Sequence, residues 1–232
     1  MLISLQHKVA FAHYPKTAGT SLAQWFRETC PDATYLNPAN PHLSVGESLR
    51  LLRQQLARSP AGRLRDVGAR TARRIGLRSS AWPDSSWRIF GVLRDPFELM
   101  ISLYEYWRTY PFEPGPRQPL IECAIRHTFR DFVAASVIGK AIAPYEVFFD
   151  SGGPLWHRTT LLHFSSLQEG VPRMCIDTGL PSTCPLPFMN RTPDLGRDMR
   201  RYSEEIGSLM DDLKQHFSWY YRQSPPRHLP HP

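Results

Sequence analysis

Two short stretches of this chain carry residues that could bind an anion, and the first lies close to the N-terminus. The sequence FAHYPKTAGTSLAQWF, residues 11–26, places Lys16, Gly19 and three hydroxyl residues between two apolar runs. A glycine-bearing turn that leads into a helix presents backbone N–H groups and the positive end of the helix dipole. Such a turn suits phosphate or sulfate, and a lysine adds a full positive charge. We name residues 13–21 the lysine turn; the alternative is an ordinary capped turn with a surface lysine.

The second stretch is RDPFELMISLY, residues 94–104, which follows another apolar run. Arg94 at the end of a strand could grip a phosphate with two parallel hydrogen bonds. Ser102, two turns into the following helix, could add a hydroxyl. The alternative is that Arg94 pairs with Asp95 or another nearby acid, while Ser102 lies on the helix surface. We name residues 94–102 the arginine turn.

The residue order in the lysine turn differs from that of a nucleoside-triphosphate loop, G-x-x-x-x-G-K-[ST]. Here Lys16 precedes Gly19, the first glycine is absent, and no lysine followed by serine or threonine opens the helix. The usual arrangement for a metal-bound β/γ-phosphate is therefore missing. We expect no metal ion, and a P-loop phosphotransferase stays as the alternative enzyme, which magnesium-independent turnover would exclude.

Apolar strands alternate with amphipathic helices along the chain, and this order predicts an α/β fold with a central parallel sheet. In such sheets ligands bind beyond the carboxyl ends of the strands, where both turns lie. The apolar runs that predict strands are HKVAFAH (7–13), ATYL (33–36), WRIFGVL (87–93) and TTLLHF (159–164).

Helices are predicted between and after these strands from their apolar periodicity. Asp95 as N-cap residue and Pro96 at the first helical position mark the start of one of them. The others are predicted from Gly19, over GESLRLLRQQLA (46–57), over 118–139, over part of SLQEGVPRMCIDTGL (166–180), and as one long C-terminal helix over 195–221.

Together the two turns resemble the sulfotransferases that use 3′-phosphoadenosine 5′-phosphosulfate (PAPS). HYPKTAGTSL is similar to their 5′-phosphosulfate loop, and RDPFELMISLY is similar to their 3′-phosphate motif, R-[DN]-P followed by S-x-Y. The resemblance is closest to the carbohydrate-type branch, which includes heparan sulfate 2-O-sulfotransferase and bacterial relatives. It covers about residues 9–221 and includes LLHFSSLQEG, FMNRT and FSWYY, but Ser165 and Ser218 stand where relatives have an acid.

The resemblance implies a fold like that of nucleoside kinases, a P-loop fold with a central parallel sheet flanked by helices. It also implies PAPS as the cofactor, adenosine 3′,5′-bisphosphate (PAP) as the product, a hydroxyl-bearing acceptor and no metal. The residues expected to bind the cofactor are Lys16, Thr17, Ala18, Gly19, Thr20, Ser21, Arg94, Ser102, Asn190 and Arg191, with Thr192 beside them. Lys16 is also the expected catalytic donor at the oxygen that leaves with the nucleotide.

The acceptor hydroxyl needs a base, and imidazole suits this task near neutral pH. His42, in the loop after ATYL, is the expected base, and the resemblance places a histidine there in many relatives. The alternative for His42 is a loop or capping role. His13 is expected to be a buried, hydrogen-bonded support residue, and Glu105 is a further candidate base.

The chain is expected to form one domain over residues 1–222, with an arginine-rich insertion or flap over 53–86 and a proline-rich, disordered tail over 223–232. Eight arginines and one acid between Arg53 and Arg78 account for the excess in the net charge of +7. This segment could recruit an anionic glycan or be a solvated flap. A basic nucleic-acid-binding protein is the alternative from another class, but aromatic residues do not interleave with these arginines, so no nucleic acid is expected.

Composition places the chain among ordinary globular proteins, with 41% hydrophobic residues. No apolar run is long enough for a membrane span, and the N-terminus lacks the features of a signal peptide. We therefore expect a cytoplasmic protein with free thiols; a bridge between Cys175 and Cys184 is the less favoured alternative. The sequence leaves the acceptor's identity and the oligomeric state open.

Overall fold

A five-stranded sheet organises the protein in the computed structural model. The structure describes residues 1–58, 87–109, 118–149, 159–181, 185–187, 189 and 195–223. The strands are β1 (Leu2–Ser4), β2 (Val9–Ala12), β3 (Thr34–Tyr35), β4 (Arg88–Leu93) and β5 (Thr159–His163), and their order in the sheet is β3-β1-β2-β4-β5.

The middle of the sheet is parallel, as the alternation of strands and helices predicts. Strand β4 pairs in parallel with β2, with Ala12 opposite Gly91, and with β5, with Leu93 opposite His163. The carboxyl ends of β2 and β4 therefore meet at one edge of the sheet, and the lysine and arginine turns follow them there. The expected α/β fold with a central sheet flanked by helices is confirmed.

One edge of the sheet is antiparallel, which the sequence pattern did not reveal. Strand β1 pairs antiparallel with both β2 and β3, so the sheet is mixed rather than wholly parallel. The three residues of β1 are all buried, and such a short apolar run shows no alternation that would mark it as a strand. The antiparallel strands β1 and β3 lie on the side of β2 away from β4, so the parallel pairing of β2 with β4 is as expected.

Ten α-helices lie among the described residues, and a short 3₁₀ turn, Phe164–Ser166, follows β5. They are α1 (Gly19–Thr29), α2 (Val45–Arg58), α3 (Pro96–Thr109), α4 (Gln118–Arg126), α5 (Phe129–Val137), α6 (Tyr145–Phe149), α7 (Leu167–Thr178), α8 (Leu195–Ile206), α9 (Leu209–His216) and α10 (Ser218–Gln223). Residues 118–139, predicted as one helical region, form α4 and α5, which Thr128 separates as the N-cap of α5 in a capping box with Asp131.

The C-terminal region consists of three helices, so the prediction of one long helix over 195–221 was wrong. Gly207, between α8 and α9, has a φ of 53°, a left-handed conformation that an α-helix does not accommodate. Ile206, Leu209 and Leu213 nevertheless join one buried core. The apolar stripe continues across the break, which explains why periodicity alone suggested a single helix.

The sheet separates two apolar cores. On one face, Phe11 and Phe90 pack against Phe26 of α1, and the rings of Phe26 and Phe90 lie 5.6 Å apart. On the other face, Ile89 joins a core with Met100 of α3. Helices α1 and α3 thus cover opposite faces of the sheet, although both begin at the same edge.

Several predicted features fall on residues outside the described ranges. The arginine-rich segment is described only through Arg58, where α2 ends, so residues 59–86 lie outside. Most of the predicted tail, residues 224–232, also lies outside. Cys30, Cys123 and Cys175 are free thiols within the described chain, and Cys184 lies outside it.

Candidate anion-binding site

The backbone of the lysine turn is strained between β2 and α1. Lys16 and Ala18 have φ values of 60° and 61°, in the left-handed region that residues with a Cβ rarely adopt. Such conformations cost about 1–3 kcal/mol each and persist where the surroundings enforce them, often at functional sites. Ala18 is the N-cap residue of α1 and has no side-chain polar group, and the first turn of α1 carries no acidic residue. The helix N-terminus therefore faces outward without a built-in anion.

The hydroxyl groups of the lysine turn have different surroundings. Thr17 is fully buried, and its Oγ1 donates to the Tyr14 carbonyl at 2.9 Å, which closes the turn on itself. Ser21 is buried and its Oγ accepts the Met189 N–H at 3.1 Å, while Thr20 is exposed. The Thr17 side chain thus shapes the turn, and the backbone and the Ser21 hydroxyl face the ligand position.

Gly19, the first residue of α1, lies directly against the imidazole of His13. A Cβ on Gly19 would overlap the His13 ring, so only glycine fits this approach. The His13 ring also stacks on Phe11, with ring centroids 5.5 Å apart. Burial and the neighbouring His42 lower the pKa of His13 to about 3, so its imidazole is neutral at physiological pH. His13 supports the turn through these ring contacts, but its Nδ1 has no hydrogen-bond partner within the described chain, in contrast to the expected hydrogen-bonded residue.

The arginine turn differs from the lysine turn, because a carboxylate within the turn, that of Asp95, caps the helix that follows. The Asp95 Oδ1 accepts the N–H groups of Phe97 at 2.9 Å and Glu98 at 3.2 Å, and Pro96 occupies the first helical position. Asp95 and Pro96 therefore begin α3 as predicted. The N-terminus of α3 has little capacity left for an external anion, and the side chains of this turn must supply any binding.

Arg94 joins the two turns. Its side chain is only 6% exposed, and its Nη1 donates to the Lys16 carbonyl at 3.2 Å across 78 residues of sequence. Its Nε lies 3.5 Å from Glu98 Oε2, and its guanidinium carbon lies 4.3 Å from the centroid of the Phe164 ring. The nearby acid is therefore Glu98, which neutralises only one edge of the guanidinium.

Ser102 is buried with an unsatisfied hydroxyl. The residue is 1% exposed, and within the described part of the chain its Oγ has no hydrogen-bond partner. Burying a hydroxyl without a hydrogen bond costs about 1–3 kcal/mol of folding free energy, so such groups are uncommon in native proteins. Arg94 Nε likewise has no hydrogen bond among the described residues, although Glu98 lies beside it. The Ser102 hydroxyl therefore suits an anionic oxygen acceptor, whereas Arg94 Nε already lies in an ion pair with Glu98.

The ammonium group of Lys16 is placed by an aromatic ring. Its Nζ lies 3.8 Å from the centroid of the Tyr106 ring, a cation–π contact. Burial and the positive charge of Arg94 lower the pKa of Lys16 to about 8. The free protein therefore holds the Lys16 ammonium partly desolvated and close to the positive charge of Arg94. A bound anion would reduce the repulsion between these two cations.

His42 contacts the lysine turn through His13. Its Nδ1 lies 3.0 Å from the His13 carbonyl oxygen, and the two rings are 4.4 Å apart, edge to face. A carbonyl accepts only, so Nδ1 carries the proton of the neutral ring and Nε2 carries the lone pair. The loop that contains His42 is tied to the start of the chain by a hydrogen bond from the Met1 nitrogen to the Pro41 carbonyl at 2.8 Å.

The remaining predicted site residues are Asn190, Arg191, Thr192 and Glu105. Asn190, Arg191 and Thr192 lie outside the described residues, although the neighbouring Met189 contacts Ser21. The Glu105 carboxylate accepts a hydrogen bond from the Tyr202 hydroxyl and pairs with Arg108 at 3.1 Å. Glu105 thus ties α3 to α8.

Three aromatic residues of the site were not predicted. The Tyr106 ring contacts the Lys16 ammonium, and the Phe164 ring lies beside the Arg94 guanidinium. The buried Tyr145 hydroxyl donates to the Arg94 carbonyl at 2.8 Å and accepts from the Arg94 backbone N–H at 3.2 Å. Phe164 could have been predicted, because it directly follows β5 and the carboxyl ends of neighbouring parallel strands meet at one edge of the sheet. Nothing in the local sequence marks Tyr145.

Neither a metal-binding cluster nor a membrane-spanning helix occurs among the described residues. The described ranges contain no group of three or more His, Cys, Asp or Glu side chains placed to hold a metal ion. No helix within those ranges combines the length and the apolar character that crossing a lipid bilayer requires.

Comparison with known proteins adds a distant likeness among solved structures. No protein-family model matches the chain, and no curated protein matches it in sequence. Among solved structures, a sulfotransferase from Alicyclobacillus acidocaldarius is similar over 90% of this chain and 94% of its own, with 15% identity and a TM-score of 0.35. A likeness at this level does not bear on the reaction, for which the geometry of the two turns is the relevant evidence.

Proposed function

We propose that the protein is a sulfotransferase that moves a sulfuryl group from PAPS to a hydroxyl of a carbohydrate or glycan-like acceptor. One observation carries the proposal: Arg94 hydrogen-bonds to the Lys16 carbonyl and so links two anion-binding turns at adjacent strand ends. A ligand that spans both turns needs two separate anionic groups. A nucleotide with a 3′-phosphate and a 5′-phosphosulfate meets this requirement.

The arginine turn fits the 3′-phosphate. Arg94 provides guanidinium N–H groups, and the Ser102 hydroxyl is buried without a partner in the described chain. A charge-assisted hydrogen bond of this kind contributes about 1.5–3 kcal/mol. A phosphate oxygen at this position would accept a hydrogen bond from the Ser102 hydroxyl, which explains why the fold tolerates a buried hydroxyl without a partner in the described chain.

The lysine turn fits the 5′-phosphosulfate. The N–H groups at the start of α1, from Gly19 to Ser21, and the helix dipole favour an anion there. The segment after Met189 begins beside Ser21, where we expect Asn190 and Arg191 to contribute to nucleotide binding. When bound, PAPS supplies a sulfuryl group that is activated by its anhydride bond to phosphate.

Lys16 is the proposed electrostatic catalyst. Its ammonium lies at the turn itself, in a partly desolvated position where charge interactions are strong. Negative charge develops on the oxygen that leaves with the nucleotide, and a donor fixed beforehand stabilises that charge. The Tyr106 ring holds the ammonium in place without neutralising it.

His42 is the proposed base for the acceptor hydroxyl. The His13 carbonyl fixes the tautomer in which Nε2 accepts a proton. His13 itself is neutral at physiological pH, because burial and the neighbouring His42 lower its pKa to about 3. Replacing His42 with alanine should remove the acidic limb of the pH–rate profile, and an unchanged limb would assign the base elsewhere.

The proposal is tested by nucleotide binding and turnover in the same protein. Isothermal titration should show that PAP binds the wild-type chain and that Arg94→Ala weakens binding by about one to two decades, as the loss of a charge-assisted contact predicts. Arg200→Ala, which removes only an exposed arginine paired with Glu204, is the matched control and should bind normally. An Arg94→Ala variant with unchanged affinity, or a wild-type chain that binds magnesium–ATP but not PAP, would contradict the proposal.

A further inference from the structure

A cleft of about 530 Å³ lies beside the lysine turn, and most of its lining has no role in the function proposed so far. Its volume falls within the range of small-molecule sites, about 300–1,000 Å³. The residues that line it are His13, Thr20, Ala23, Gln24, Arg27, Glu28 and Tyr35.

One face of α1 forms most of the cleft. The lining residues from Thr20 to Glu28 follow the spacing i, i+3, i+4, i+7, i+8, which places them on a single stripe of the helix. Ala23 is buried at the base of this stripe, while Gln24, Arg27 and Glu28 are exposed. The cleft is therefore a groove along α1 with polar walls and a small residue at its floor.

The groove lies away from the arginine turn. Tyr35 belongs to β3, at the sheet edge opposite β5, whereas Arg94 follows β4. Neither Arg94 nor Ser102 lines the groove. A nucleotide that spans the two turns would therefore leave the groove open.

One end of the groove nevertheless lies at the lysine turn. Thr20 is the second residue of α1, inside the lysine turn, and His13 forms the adjoining wall. The His13 ring is 4.4 Å from the ring of His42, the proposed base. A molecule that delivers a hydroxyl to His42 could continue along the groove toward Arg27.

We infer that this groove binds the sugar residues of a saccharide acceptor next to the one that is sulfated. The inference rests on the proposed function. The walls carry planar hydrogen-bonding groups, since the Gln24 amide donates to Glu28 at 2.9 Å and the Arg27 guanidinium lies 5.0 Å from the Tyr35 ring centroid. These groups can both donate to and accept from hydroxyl groups, and Tyr35 adds an aromatic wall.

The same lining argues against a polyanionic acceptor. Arg27 and Glu28 carry opposite charges, so the groove has no net attraction for a polyanion. Recognition here depends on hydroxyl groups rather than on charge, and the contribution of the groove should vary little with salt.

The test compares a disaccharide of N-acetylglucosamine with a longer, uncharged oligosaccharide of the same sugar. With PAP bound to the full chain, the wild type should bind the longer probe about tenfold or more tightly, because several additional hydrogen bonds form. The double variant Gln24→Ala, Arg27→Ala should lose this dependence on length but bind the disaccharide and PAP as before. Arg201→Ala, whose guanidinium lies 5.7 Å from the Tyr202 ring on α8, is the matched control and should keep the dependence.

The outcomes separate this inference from the proposed function. A length dependence that persists in the double variant, or a wild type that binds PAP but neither saccharide, would overturn the inference and leave the nucleotide site standing. A wild type that does not bind PAP would overturn both. A melting temperature of the double variant within the wild-type range excludes loss of folding as the cause of any change.

Discussion

The lysine turn and the arginine turn both follow a strand of the parallel part of the sheet and both lead into a helix, but they offer a ligand different groups. The lysine turn leaves the start of α1 without an acidic partner and holds Lys16 and Ala18 in strained conformations. The arginine turn satisfies the start of α3 with its own Asp95 and offers the side chains of Arg94 and Ser102.

The difference shows that a helix N-terminus alone does not make an anion site, because the cap decides whether its N–H groups are available. A backbone site depends on the shape of the turn, so changes in shape should damage it. A side-chain site depends on individual donors, so their removal should weaken binding without changing the fold. The predictions that follow test this contrast.

The largest effect is expected from Lys16→Ala in the lysine turn. Turnover should fall by about 10²–10³, the usual cost of losing one preorganised donor, while PAP binding is partly retained. Lys140→Ala is the matched control, because Lys140 is an exposed lysine with a similar φ of 52° that lies outside both turns. Steady-state kinetics of both variants would decide, and a fully active Lys16→Ala enzyme would remove Lys16 from the mechanism.

Gly19→Ala should damage the backbone site through shape alone. The new Cβ would overlap the His13 ring, and overpacking of this kind costs about 1–3 kcal/mol. We expect a lower melting temperature and weaker PAP binding. Gly46→Ala, where an added Cβ meets nothing within 4 Å, should keep both properties or gain stability. Equal behaviour of the two variants would show that the turn is not shape-sensitive.

Ser102→Ala should weaken the side-chain site without harming the fold. The hydroxyl has no partner within the described chain, so its removal should leave stability equal or higher. PAP binding should fall by about tenfold, the value of one hydrogen bond to a charged group. Ser136→Ala removes another buried hydroxyl without a partner among the described residues and should leave binding unchanged. Calorimetry and thermal unfolding measure the two properties, and a destabilised Ser102→Ala protein would show that the hydroxyl serves the fold.

The smallest effect is expected from pH acting on the lysine turn. The pKa of Lys16 in the free protein is lowered to about 8, so its positive charge is present below that pH and is lost above it. PAP affinity should therefore decrease as pH rises through about 8, by at most about tenfold per pH unit. Lys16→Arg keeps its charge and should bind with little change over this range. A wild-type affinity that is flat between pH 7 and 9 would show that Lys16 does not contact the anion.

The main strands and the starts of α1 and α3 could be predicted because local signals specify them. Short apolar runs mark β2 and β4, and Asp95 with Pro96 marks α3. Local signals failed where distant segments decide the structure. The strand β1 is defined by its partners, and the break at Gly207 is hidden because the apolar stripe continues on both sides.

The composition of the site was only partly predictable for the same reason. The sequence identifies Lys16, Gly19 and Arg94 as candidates. It cannot show that the Thr17 hydroxyl bonds within the turn or that the Tyr106 ring contacts the Lys16 ammonium. Left-handed conformations at Lys16 and Ala18 are also unexpected, because glycine is the usual residue in such positions.

The most direct test is a crystal structure of the protein soaked with PAP. The 3′-phosphate should lie within hydrogen-bond distance of Arg94 and Ser102, and the 5′-phosphate should contact the backbone from Gly19 to Ser21. A nucleotide bound at any other position, or both of its phosphates at a single turn, would contradict the claim that two neighbouring turns hold one nucleotide.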